Sequence, residues 1–162
     1  MKIRILTTGG TIDGLEYDSE DKNPTKTQTL IPKLLEQSRI TAEYEIESIL
    51  SKDSKFLDEK DRKLIAEKCK KSEENNIIIT HGTVTLVGTA KYLAGEKISK
   101  TIILTGSIVP ANQDNSDALF NLGAAFIAVQ KLPKGVYIVM NGKVFQANRV
   151  MKNQRTGIFE DV

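Results

Sequence analysis

Ile77-Ile78-Ile79-Thr80-His81-Gly82-Thr83 decides the fold. Three consecutive β-branched residues present no polar face, so the strand they form is covered on both sides, as central parallel strands are. The hydroxyls and glycine that follow predict the end of that strand and a tight turn. Outward from this run the same pattern recurs. Ile3-Arg4-Ile5-Leu6 leads into Thr7-Thr8-Gly9-Gly10-Thr11-Ile12, and Thr101-Ile102-Ile103-Leu104 leads into Thr105-Gly106-Ser107. Tyr44 to Leu50 alternates and is followed by Asp53-Ser54. Gly135 to Met140 reads as a fifth strand. Asn141-Gly142 is a hairpin signal, with Lys143-Val144-Phe145 returning antiparallel.

Helical spacing fills the gaps. Leu30, Leu34 and Leu35 predict a helix to about Ser38. Asp58 caps a second, with Asp61 in its first turn and Leu64, Ile65, Lys68 and Cys69 on its inner face. A third runs from about Val84 to Leu93, with Gly95 as its stop. Asp114 or Ser116 caps a fourth that carries Leu119, Leu122, Phe126 and Val129. Alternating strands and helices with short connections predict an α/β fold. The expected architecture is a three-layer, doubly wound, mainly parallel sheet of flavodoxin or Rossmann type, with a short antiparallel hairpin near the C-terminus. Asp13 to Thr29 is polar and aperiodic, the pattern of a lid or binding loop, and Tyr17 is its one aromatic.

The bulk properties narrow the function. The 162 residues suit one domain, 1–162, and carry 23 basic against 21 acidic residues, a net charge of +2. That balance lacks the clustered positive charge of a nucleic-acid partner. No apolar run approaches the roughly 20 residues of a membrane span, and no signal-peptide core is visible. A single cysteine, Cys69, excludes an internal disulfide, and together these features predict a cytoplasmic protein. His81 is the only histidine, which rules out a histidine-rich metal site. No metal or organic cofactor is implied.

In a parallel sheet the four polar strand ends lie on one edge. They are Thr7 to Thr11, Asp53-Ser54, Thr80 to Thr83 and Thr105 to Ser107. Hydroxyls beside backbone amides suit acyl transfer, in which a threonine attacks a carbonyl and N–H groups hold the oxyanion. The threonine requires a base, and a desolvated lysine with a depressed pKa can supply it. Glycine-rich turns at helix starts also suit phosphate, so a mononucleotide-binding module is the alternative from a different class.

Thr8-Gly9-Gly10-Thr11-Ile12 resembles the first signature of the bacterial L-asparaginase/glutaminase family. His81-Gly82-Thr83-Val84-Thr85 resembles its second, His-Gly-Thr-Asp-Thr. Thr105-Gly106-Ser107 through Pro110 to Asp117 and Asn121-Leu122 resembles the segment that follows. Val150-Met151-Lys152-Asn153 is similar to the segment carrying the family's catalytic lysine. The resemblance runs along essentially the whole chain and corresponds to the family's N-terminal α/β domain, without its usual C-terminal domain, as in short single-domain members.

The resemblance implies hydrolysis of the side-chain amide of L-asparagine, or of a related small amide, through an acyl-threonine intermediate. Thr11 is then the nucleophile, and Tyr17 orients it once the loop closes. Thr83 is a second catalytic threonine, held by Lys152. Gly10, Ser54, Gly82 and the residue at position 84 bind substrate, with Ser54 on its α-carboxylate. A homodimer or homotetramer is also implied. Val84 departs from the family pattern, because the aspartate expected there binds the substrate's α-ammonium. Three readings follow: another acid, such as Asp13 or Asp114, takes the ammonium; the substrate has no free α-amino group; or the protein is a small-ligand-binding homologue whose catalysis has lapsed.

Overall fold

The isoleucine run lies where its composition requires. In the computed structural model, which describes residues 1–14 and 28–162, β3 (Asn76–Thr80) sits inside a six-stranded sheet. Its neighbours are β1 (Ile3–Thr7) and β4 (Thr101–Thr105), both parallel to it. β2 (Tyr44–Ser48) flanks β1, and β5 (Gly135–Met140) flanks β4, again in parallel. β6 (Lys143–Gln146) closes the far edge antiparallel to β5 across Asn141-Gly142, as predicted. Asn141 and Gly142 both have positive φ, 54° and 74°, the requirement of a tight two-residue hairpin turn. The strand order β2-β1-β3-β4-β5-β6 reverses direction between β1 and β3. In such sheets that switch point opens a crevice beyond the strands' carboxyl ends.

Helices cover both faces. On one side, α2 (Glu59–Lys71) and α3 (Leu86–Gly95) bury Ile65, Ala66, Cys69, Leu86, Ala90 and Leu93 against Leu6, Ile77, Ile79 and Leu104. On the other, α1 (Ile31–Gln37) and α4 (Ala118–Lys131) bury Leu34, Leu35, Leu122 and Phe126 against Ile3, Ile5, Ile78 and Ile103. This is the predicted three-layer arrangement. α2 opens with a capping box in which the Asp58 carboxylate accepts from Asp61 N at 2.9 Å and Asp61 accepts from Asp58 N at 3.0 Å.

Several local expectations are corrected. α3 does not stop at Gly95. It includes that residue, and the left-handed position past its end is Lys97, at φ 49°. Its regular turns begin at Leu86 rather than Val84, because 83–85 form a turn off β3. In α4, Leu119 is 39% exposed and the inward positions are 118, 121, 122, 125, 126 and 129. Asp114 does not cap α4; the Ser116 hydroxyl accepts from Ala118 N at 3.1 Å. A second hairpin, β7 (Val150–Lys152) with β8 (Phe159–Asp161), follows the sheet and was not expected. It buries Val150 and Phe159 in the α2/α3 core. Among the described residues no helix is long and apolar enough to cross a membrane.

Candidate active site

The turn after β1 leaves no room for a side chain at its centre. Gly10 has φ 84°, and a Cβ there would meet Gly82 Cα at 2.5 Å and Gly82 N at 2.6 Å. The loops after β1 and β3 therefore touch backbone to backbone at the switch point, which only glycine permits. Gly10→Ala is expected to cost about 3 kcal/mol of unfolding free energy, combining left-handed strain with a backbone clash. Chemical denaturation measures this, and a loss below about 1 kcal/mol contradicts the close approach.

Past Gly10 the chain enters a single 3-10 turn, Thr11–Asp13. Asp13 is fully enclosed there. Its carboxylate accepts from Gly9 N at 2.9 Å, from the Thr29 hydroxyl at 2.8 Å and from the Thr80 hydroxyl at 3.3 Å. Burial pushes its pKa up to about 7 in spite of these three donors. Asp13 thus ties the turn carrying Thr11 to β3 and does not line the cleft beside it, so it offers an ammonium no open carboxylate there. Asp114 fails for a different reason: it lines a separate hollow with Leu30, Lys33 and Gln37.

A cleft of about 140 Å³ opens at the switch point, lined by Gly10, Thr11, Asp53, Ser54, Gly82, Thr83, Val84 and Ile108. Three of the four predicted strand ends meet here through their side chains. The fourth contributes through Ser107, whose carbonyl accepts the Thr11 hydroxyl proton at 2.6 Å, and through Ile108 on the wall. Opposite, Lys152 Nζ donates to the Thr83 hydroxyl at 2.9 Å. Burial lowers the Lys152 pKa. The hairpin β7–β8 is what brings this lysine over β3.

Each wall is braced. Ile49 N and Leu50 N both donate to Thr7 O, and Lys52 N donates to Thr8 O, so the loop after β2 is laced to β1. Lys52 Nζ grips both oxygens of Asp61 at 2.9 and 2.8 Å. Ser54 is buried between this loop and α3. Its hydroxyl oxygen accepts from Thr85 N at 3.3 Å, and its carbonyl accepts the Thr85 hydroxyl proton at 2.7 Å. Asp53, on the cleft wall, accepts from Lys55 N at 3.1 Å with Lys55 Nζ 3.8 Å distant. Asp117 accepts from Ile108 N and Val109 N at 3.0 and 2.9 Å and from the Asn121 amide at 2.8 Å, which holds the 106–109 loop.

His81 is not in the cleft. It is completely buried, and its Nδ1–H donates to Gly82 O at 2.7 Å, since a carbonyl can only accept. Nε2 is then the acceptor for the Thr89 hydroxyl at 2.9 Å. Burial depresses its pKa to about 4, so it is a neutral structural residue. Val84 is 60% exposed on the cleft's rim, and Ile108 is 42% exposed beside it. Tyr17 lies outside the described residues. Sequence reasoning missed Ser107's carbonyl and Ile108, which act through backbone position rather than side-chain type. It also missed Asp13's burial, which only tertiary contacts create.

Comparison with known proteins accords with this geometry. The N-terminal asparaginase domain model matches residues 2–159. An L-asparaginase from Thermococcus kodakarensis is 30% identical over 98% of this chain and 49% of its own. A glutamyl-tRNA(Gln) amidotransferase component from Methanococcus vannielii is 34% identical over 88% of this chain and 34% of its own. The solved structure of the thermostable L-asparaginase from Thermococcus kodakarensis superposes with a TM-score of 0.87 at 30% identity, covering 100% of this chain and 51% of that one. That of a probable cytoplasmic L-asparaginase from Campylobacter jejuni gives 0.82 at 31% identity, covering 99% and 52%. The chain spans about half the length of the curated L-asparaginases it matches. On this match along nearly its whole length, the chain belongs to the asparaginase family and corresponds to that family's N-terminal domain.

Proposed function

We propose that the chain is an amidohydrolase that converts a small carboxylic amide, L-asparagine or a related one, to the acid and ammonia. The observation that carries this reading is the 2.9 Å hydrogen bond from Lys152 to Thr83, a residue that lines the same cleft as Thr11. A hydroxyl paired with a desolvated amine, beside a second hydroxyl on a glycine turn, is a nucleophile with a base to serve it.

In this mechanism Thr11 Oγ leaves Ser107 O by rotation about χ1 and attacks the amide carbon. Its proton passes through the Thr83 hydroxyl, which takes it while giving its own to the neutral Lys152 amine. The proton returned from Lys152 completes the leaving ammonia as the C–N bond breaks, and an acyl ester remains on Thr11. Water then attacks that ester by the same relay in reverse, which releases the acid and restores the threonine. Backbone amides of the Gly10–Thr11 and Gly82–Val84 turns, which line the cleft, are the candidate donors to the developing oxyanion. The sum is amide plus water giving carboxylate and ammonium.

The test is ammonia release from a panel of small amides that includes asparagine and glutamine. Turnover that requires Thr11 upholds the reading. No turnover on any amide, together with thermal stabilisation by a nucleotide, overturns it in favour of a phosphate-binding module.

A further inference from the structure

Resting on that amidohydrolase reading, the geometry points to a narrower substrate class: the monoamide of a short dicarboxylate whose middle carbons carry no charged amino group. The chain's own side chains argue for it. The two residues that stand most open on the cleft are apolar, Val84 at 60% and Ile108 at 42% exposure, and both line the space beside Thr11. A Cβ at Gly157 would lie 3.9 Å from Ile108 Cδ1, so the β7–β8 turn passes close to Ile108 and brings no side chain there.

The one carboxylate that lines the cleft among the described residues is Asp53. It is already engaged by Lys55, through the backbone N–H at 3.1 Å and the ammonium at 3.8 Å. An α-ammonium entering beside Val84 and Ile108 trades water for an isopropyl group and a sec-butyl group, and neither of these two positions offers an anion to receive it. A methylene, or an acylated nitrogen, trades water for apolar contact, which is favourable. At the other end the site does suit an anion. Ser54 Oγ takes its hydrogen bond from Thr85 N and keeps its own proton to donate. An uncharged middle between a reactive amide and a free carboxylate fits this order of groups.

The step is the balanced hydrolysis given above: the amide C–N bond breaks, a Thr11 ester forms and is hydrolysed, and ammonia leaves with the threonine proton. The distinguishing atom is only the α-nitrogen.

The experiment compares kcat/KM for succinamate, N-acetyl-L-asparagine and L-asparagine with the unmodified chain and with Val84→Asp and Val84→Thr. Succinamate is expected to exceed asparagine by about 30-fold or more in the unmodified chain, the worth of one desolvated charge pair. Val84→Asp is expected to invert that order. Val84→Thr, of the same shape and uncharged, is expected to keep it. Val84 is half in solvent, so neither variant disturbs the core, and matched circular dichroism spectra verify folding. Calorimetric titration of Thr11→Val with the same intact amides reads the preference without turnover. Asparagine preferred by the unmodified chain overturns the inference and leaves the amidohydrolase reading standing. Absence of both turnover and binding for every amide overturns the two together.

Discussion

Thr11→Val is expected to lower kcat/KM on the preferred amide by about four orders of magnitude, or about 5.5 kcal/mol of transition-state stabilisation. The substitution keeps the branched shape and removes the hydroxyl. Its structural cost is small, because what is lost is one donor to the Ser107 carbonyl at 2.6 Å, worth about 1 kcal/mol. A folded, inactive protein is therefore the expected result, and an unchanged melting profile separates it from misfolding. Thr83→Val and Lys152→Met interrupt the same relay and are expected to lose similar amounts. Groups that act as one unit are not additive, so Thr11→Val/Thr83→Val should be scarcely slower than either single variant.

The variants also distinguish which threonine carries the acyl group. With Thr83→Val, acylation slows but its product sits on the peptide containing Thr11, where mass spectrometry detects it. An adduct on Thr83 in the Thr11→Val protein reverses the assignment. The pH profile adds a further sign. Burial lowers the Lys152 pKa, and only the neutral amine accepts a proton, so activity rises with pH on the limb that this lysine controls. Lys152→Met should flatten that limb, and Val84→Asp should move it to higher pH by placing a carboxylate near the amine.

Ile77-Ile78-Ile79 made the parallel sheet legible because a strand with no polar face has few places to go. Thr11, Ser54 and Thr83 were legible for a related reason. In such a sheet every strand's carboxyl end faces one edge, so polar residues at those ends converge whatever lies between them. The failures have equally specific causes. Spacing chose Leu119 for the α4 core by its apolar side chain, yet Asn121 takes an inward place because its amide donates to Gly106 O at 3.0 Å and to Asp117. Polarity alone placed Asp13 at the start of a lid or binding loop, although three donors from separate segments enclose it. Lys152 has no mark in its own stretch that points to Thr83. Its contact with Thr83 arises only when a hairpin far along the chain folds back, and the family resemblance pointed to that contact where periodicity did not.

Asp13 and His81 together predict an unusual stability profile. Asp13 ionises near 7 in the fold against an ordinary value of 3.8. The folded state holds that proton more tightly, so its contribution is full below pH 3.8 and is lost as pH rises through 7. The span of roughly three pH units corresponds to about 4 kcal/mol. His81 has the opposite sign. Its folded pKa of about 4 lies below the ordinary 6.5, so its contribution is present above pH 6.5 and is lost as pH falls through 4, about 3 kcal/mol in all. Between these limits the two slopes oppose and nearly cancel. Asp13→Asn removes one slope and leaves the other. Denaturation of both proteins from pH 8 to pH 4.5 should then give a difference in unfolding free energy that widens steadily as pH falls, by about 3 kcal/mol over that range. All other titrations are common to the two proteins and drop out of the difference. Parallel curves would mean that Asp13 is ionised in the fold throughout, held by Gly9, Thr29 and Thr80. The same three contacts fix the turn that presents Thr11, so Asp13→Asn should also lower activity most where the wild-type carboxylate is ionised and accepts all three.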